Sequence, residues 1–109
     1  MRFKESDLTN QTIILLVEAT VLPQYRVEVF AAAHECLLHN LQEPGVEVFY
    51  QTARADNPDC LVFFEVYGSA ALYALHMKQE YTRKFFQTLE GKLASGPTVT
   101  QLTDLRTPR

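Results

Sequence analysis

The sequence has no tryptophan, only two cysteines, four glycines among 109 residues and no cluster of basic side chains. Each shortage closes off a class of function. Ten Lys and Arg scattered among thirteen Asp and Glu leave a net charge of −3 and no phosphate track for nucleic acid. No uninterrupted apolar run approaches the roughly 18 residues of a membrane helix. Met1-Arg2-Phe3-Lys4-Glu5 leads into polar residues, unlike a signal peptide. Cys36 and Cys60 have neither metal-site spacing nor the density of a disulfide framework, which points to a reducing cytoplasm and to two small apolar fillers. His34, His39 and His76 show no metal-ligand spacing either, so no metal is expected. What is present is ordinary: 47% hydrophobic and 21% charged residues describe one globular domain. At this length such a domain buries roughly 65% of its unfolded surface.

Along the chain, 1–11 reads as a loose polar arm, 12–105 as the folded domain and 106–109 as a tail. Ile13 to Val21 is almost wholly apolar and β-branched, a strand with Glu18 as its exception. Pro23 ends it. A helix is expected over about Gln24 to Gln42, with Val27, Phe30, Ala31, Leu37, Leu38 and Leu41 as its apolar stripe and His34 inside that stripe. Glu43-Pro44-Gly45 forces a turn. Val46 to about Thr52 and Leu61 to Tyr67 then form a hairpin around Asp56-Asn57-Pro58-Asp59. Ser69 suits the N-cap of a helix over Ala70 to about Met77, with Leu72, Leu75 and His76 inward. A helix from about Tyr81 to Ala94 carries Tyr81, Phe85, Leu89 and Leu93 on one face and stops at Ser95-Gly96-Pro97. Thr98 to about Leu105 suits an edge strand.

That order gives an α+β, ferredoxin-like βαββαβ sandwich: an antiparallel sheet with helices on one face. Leu-Val-Phe-Phe-Glu-Val-Tyr, at 61–67, is apolar on both faces, as is the first strand. One face is covered by the helices. The other would be an exposed apolar patch in a monomer, so a homodimer is expected, two sheets facing each other about a two-fold axis.

Several short motifs occur in order: Glu43-Pro44-Gly45 after the first helix, Glu65-Val66-Tyr67 closing the third strand, His76 eleven residues past Glu65, Tyr81 with Phe85, and Ser95-Gly96-Pro97. In these the chain resembles the antibiotic biosynthesis monooxygenase family of dimeric α/β barrels, from about Ile13 to Leu105. The resemblance implies a cytoplasmic dimer and a small apolar or aromatic substrate. It also implies, for an oxygenase, molecular oxygen as co-substrate with no cofactor. Two other branches fit less well. The Asn-His pair of similar autoinducer isomerases falls on Cys36 and Leu37, and their Thr-Pro-His is replaced by Lys78-Gln79-Glu80. The haem-degrading branch uses a first-strand Asn and a Trp, both missing here.

Cofactor-free oxygenation needs an apolar pocket, a base that turns the substrate into an electron-rich anion, and donors that hold the anion. The expected catalytic groups are His76, His34 and Glu65. Tyr67, sharing a strand face with Glu65, joins Tyr81 and Asn40 as expected substrate-binding groups. Each has a structural alternative: His34 as a core histidine bonded to backbone, Glu65 as a structural carboxylate. Glu18 and Glu65 would perturb each other if they shared a face of neighbouring strands. At the level of function the alternatives to the oxygenase are a non-catalytic barrel that binds a small apolar ligand or serves a stress-related role, and an enzyme similar to the autoinducer isomerases.

Overall fold

The computed structural model describes residues 11–106. The expected N-terminal arm and C-terminal tail therefore lie almost wholly outside the described residues. Strand β1 (Ile13–Val21) runs through a 3-10 turn at Pro23–Tyr25 into helix α1 (Arg26–Asn40). The hairpin β2 (Val46–Arg54) and β3 (Asn57–Tyr67) comes next, then α2 (Ala70–Lys78), α3 (Glu80–Leu89) and strand β4 (Leu93–Leu102). The sheet order is β2-β3-β1-β4 with every neighbour antiparallel, the expected ferredoxin-like α+β arrangement. Among the described residues, no helix is long and apolar enough to cross a membrane.

The period of two along the central strands assigns the faces. Leu15, Ala19 and Val21 of β1, and Leu61, Phe63, Glu65 and Tyr67 of β3, are buried under the helices. Ile14, Leu16, Val62, Phe64 and Val66 point to the opposite face and are only half-buried. Val21, Val29, Ala33, Leu61, Phe63 and Leu89 form the core between sheet and helices. Glu18 pairs with Val62 and Leu15 with Glu65, so the two carboxylates lie on opposite faces of the sheet and do not meet.

Four local expectations are corrected. The hairpin turns tightly at 55–56, and β3 begins at Asn57, with Pro58 at an exposed position that tolerates it. Helix α1 buries Val29, Ala33, Cys36 and Asn40 instead of the larger stripe, leaving Val27, Leu38 and Leu41 from 52% to 82% exposed. In α2, Leu75 faces out and Tyr73, half-buried, takes its place beside His76. Helix α3 stops at Leu89 instead of Ala94, because Glu90 turns extended at ψ of 127° and a turn closed by the Lys92 N–H on the Leu89 carbonyl at 3.0 Å sets Gly91 at φ of 74°, which glycine adopts freely. Ser95-Gly96-Pro97 consequently lies inside β4, where Leu93 pairs with Val21 and the register shifts around Thr20. Gly96, at φ of 85°, allows this shift; a Cβ there would sit 2.6 Å from the Glu18 carbonyl oxygen.

The turn after α1 sets how α2 approaches the sheet. Gly45 is buried, and a Cβ on it would lie 2.7 Å from Leu72 Cβ. Only a glycine lets α2 press this closely on the Glu43-Pro44-Gly45 turn. Ser69 caps α2 by accepting from the Leu72 backbone N–H at 3.2 Å, which fixes where that helix starts and which face it turns inward.

Candidate functional site

Between the sheet and the helices lies a cavity of about 90 Å³. Leu15, Val17, Phe49, Phe63, Phe85 and Leu89 make its walls largely apolar. Set into them are a few polar groups: Asn40 from α1, Gln51 from β2, Glu65 from β3, Tyr73 and His76 from α2, and Thr82 from α3. Four of these, Asn40, Glu65, His76 and Thr82, are buried.

His76 is 5% exposed. Its Nδ1 lies 2.9 Å from Glu43 Oε2, the carboxylate delivered by the turn that Gly45 packs against α2. A carboxylate accepts and cannot donate, so this contact places the proton on Nδ1 and leaves Nε2 as the acceptor. The imidazole is further held by aromatic rings, Tyr67 at 4.9 Å and Phe49 at 6.2 Å between centroids. Glu43 is thus the orienting group that sequence reading placed only in a turn. One signal pointed to it: an acid just past the end of α1, where the helix dipole disfavours negative charge.

Glu65 sits beside this pair. Tyr67 donates its hydroxyl to Glu65 Oε1 at 2.6 Å. Burial pushes the Glu65 carboxyl above the ordinary glutamate range, against the opposing pull of the Tyr67 hydrogen bond and, whenever its ring is protonated, of His76. Burial, then the Glu65 charge, drives the Tyr67 phenol far up, so it stays a donor. Tyr67 is fully buried and does not line the cavity; it is bonded to Glu65 and packs on the His76 ring.

The remaining expected groups divide. Asn40 is 1% exposed and lines the cavity. Tyr81 lies outside it, in a shallow groove between α1 and α3, stacked on the exposed His39 at 4.8 Å. Burial and the neighbouring Glu43 carboxylate raise the Tyr81 phenol, tying it to the Glu43–His76 pair from behind. His34 does not line the cavity: it is exposed, because the inward face of α1 runs through 29, 33, 36 and 40. Cys36, also at the wall, has its thiol pushed up to about 11 by burial, which keeps it protonated and a poor nucleophile. Tyr73 and Thr82 were not foreseen. Periodicity places Thr82 one position from the Tyr81 stripe, and nothing else in the sequence marks it.

No family model matches the chain, and no curated protein matches it. Solved structures do resemble it. A candidate antibiotic biosynthesis monooxygenase from Nitrosomonas europaea is 19% identical over 96% of each chain, with a TM-score of 0.82. One from Caulobacter crescentus is 18% identical over 93% of this chain and 96% of its own, also at 0.82. One from Bacteroides thetaiotaomicron is 21% identical over 89% and 92%, at 0.78. Across nearly its whole described length, the chain has the fold of the antibiotic biosynthesis monooxygenases.

Proposed function

We propose that the protein is a cofactor-independent monooxygenase acting on a small phenolic or quinol-like aromatic in the cavity between sheet and helices. The observation that carries this reading is the buried His76, its Nδ1 held by Glu43 at 2.9 Å, at the wall of an apolar chamber. Nε2 takes the proton of a ring hydroxyl, and Glu43 stabilises the imidazolium that forms. The resulting anion passes an electron to O2, and the radical pair joins as a carbon-bound peroxide that takes the proton back from His76. Loss of that carbon's hydrogen as a proton then breaks the O–O bond. The expelled hydroxide takes up the proton and leaves as water. One quinol and one O2 give one hydroxyquinone and one water, and no outside reductant is consumed.

The cavity also bounds substrate size. The chamber of about 90 Å³ is smaller than the apolar cavity of about 150 Å³ that admits benzene, so it excludes a polycycle and takes a single ring only as its side-chain walls give way. The test is oxygen uptake over a panel of one-ring phenols and quinols. Uptake above the autoxidation background is expected with at least the quinols; none across the panel would leave a ligand-binding barrel as the reading. We also propose a homodimer, with Leu16, Phe64 and Val66 of the helix-free sheet face covered by a second copy. Light scattering at twice 12.5 kDa is expected, and a stable 12.5 kDa particle would refute the dimer.

A further inference from the structure

The two threonines of α3 are treated differently. Thr88 donates its hydroxyl to the Lys84 carbonyl one turn back, at 3.0 Å, the usual way a helical threonine satisfies itself. Thr82 has no such recourse. The residue four back, Lys78, ends the preceding helix, and Gln79 between them is extended, with ψ of 141°. Thr82 is 2% exposed and lines the cavity, yet its Oγ1 finds no hydrogen-bond partner among the described residues. A hydroxyl left unpaired in an apolar interior destabilises the empty protein.

Asn40 lines the same cavity from α1, with its side-chain amide bonded only to the Cys36 sulfur, at 3.6 and 3.9 Å, among the described residues. Sulfur is a weak partner, so most of the hydrogen-bonding capacity of this buried amide is also uncommitted. Two buried polar groups with unmet capacity, on two helices, therefore line the same chamber as His76 and Glu65.

We infer that Thr82, together with Asn40, is a polar anchor for a second oxygen substituent on the ring whose first hydroxyl meets His76. This rests on the oxygenase reading for the orientation of the ring. It narrows the ligand class from phenols in general to one-ring aromatics with two separated oxygens, of which hydroquinone is the simplest. Thr82 is a specificity residue here: it selects which ring binds and takes no proton from it.

The test uses the full chain and two probes of nearly equal shape, hydroquinone and 4-methylphenol, bound anaerobically and followed by calorimetry. Thr82→Val keeps the shape of the side chain and removes the hydroxyl. The variant is expected to melt at a higher temperature than the unliganded wild type. It should bind hydroquinone about tenfold more weakly and leave 4-methylphenol within about twofold. Thr82→Ser should restore hydroquinone binding. A lower melting temperature for Thr82→Val would show that the hydroxyl already has a partner and would overturn the inference, as would an equal loss for both probes. Oxygen uptake separates this from the oxygenase reading. Hydroquinone-selective binding without uptake retains the anchor and removes the oxygenase; uptake with equal losses for both probes does the reverse. Failure of the wild type to bind either probe overturns both.

Discussion

His34 and His76 look alike in the sequence, each set among apolar residues at helical spacing, yet one stands in water and the other is sealed against a carboxylate. The difference lies in what each helix packs against. Helix α1 carries apolar residues around much of its circumference, and its inward face is the one with small and polar members, Ala33, Cys36 and Asn40, where the cavity needs room. The larger Val27, Leu38 and Leu41 turn outward and carry His34 toward their side. Helix α2 is short, capped by Ser69 and pressed on Gly45, which leaves little freedom over which of its residues meets Glu43. A histidine becomes a candidate base when a rigid turn brings it an orienting acid; apolar neighbours alone do not suffice.

Substitutions can break this contrast, and the largest effect is expected at His76. Removing the base in His76→Ala should lower turnover roughly 10²- to 10⁴-fold with the fold retained, as measured by oxygen uptake alongside circular dichroism. Glu43→Gln keeps an acceptor for Nδ1–H and removes the charge that stabilises the imidazolium. A charge-assisted hydrogen bond is worth about 1.5–3 kcal/mol, so kcat should fall about ten- to a hundredfold. An unchanged kcat would show that Glu43 only shapes the turn.

Glu65 sharpens the comparison through pH. Burial raises its pKa in the folded protein, so the native state binds more protons than the unfolded chain between the ordinary glutamate value and the raised one. Stability from this group is complete below the ordinary value and falls as pH rises through that window. Urea midpoints measured upward from about pH 4, near the unperturbed glutamate pKa, should decline for the wild type and be flatter for Glu65→Gln. A parallel decline in both would remove Glu65 as the source. The smallest effect is expected at His34: His34→Ala should change stability by no more than about 0.5 kcal/mol and leave turnover intact.

The sheet was legible because its strands are long, β-branched and two-sided, so period and composition agree; β1 fell where expected, and β3 ended at Tyr67 as expected but began four residues early. His76 and Glu65 were legible as polar residues out of place on apolar elements, and Asn40 only as a donor near the end of its helix. The end of α3 was misplaced because two stop signals lie five residues apart. Glu90-Gly91 acts first, and Ser95-Gly96-Pro97 serves a register shift in β4 instead. Glu43 and Thr82 stayed hidden for a different reason. Their importance comes from contacts across 33 residues in one case and from a bond not made in the other. An unmet hydroxyl leaves no local pattern, and the distant pairing left only an acid just past the end of α1.

The central claim is that a Glu43-oriented His76 makes an enclosed aromatic reactive toward oxygen. An oxygen electrode with hydroquinone, comparing wild type and His76→Ala after subtraction of autoxidation, tests it most directly. The wild type should consume one O2 per hydroquinone, and the variant should run at a rate indistinguishable from background; equal rates for the two proteins would contradict the claim.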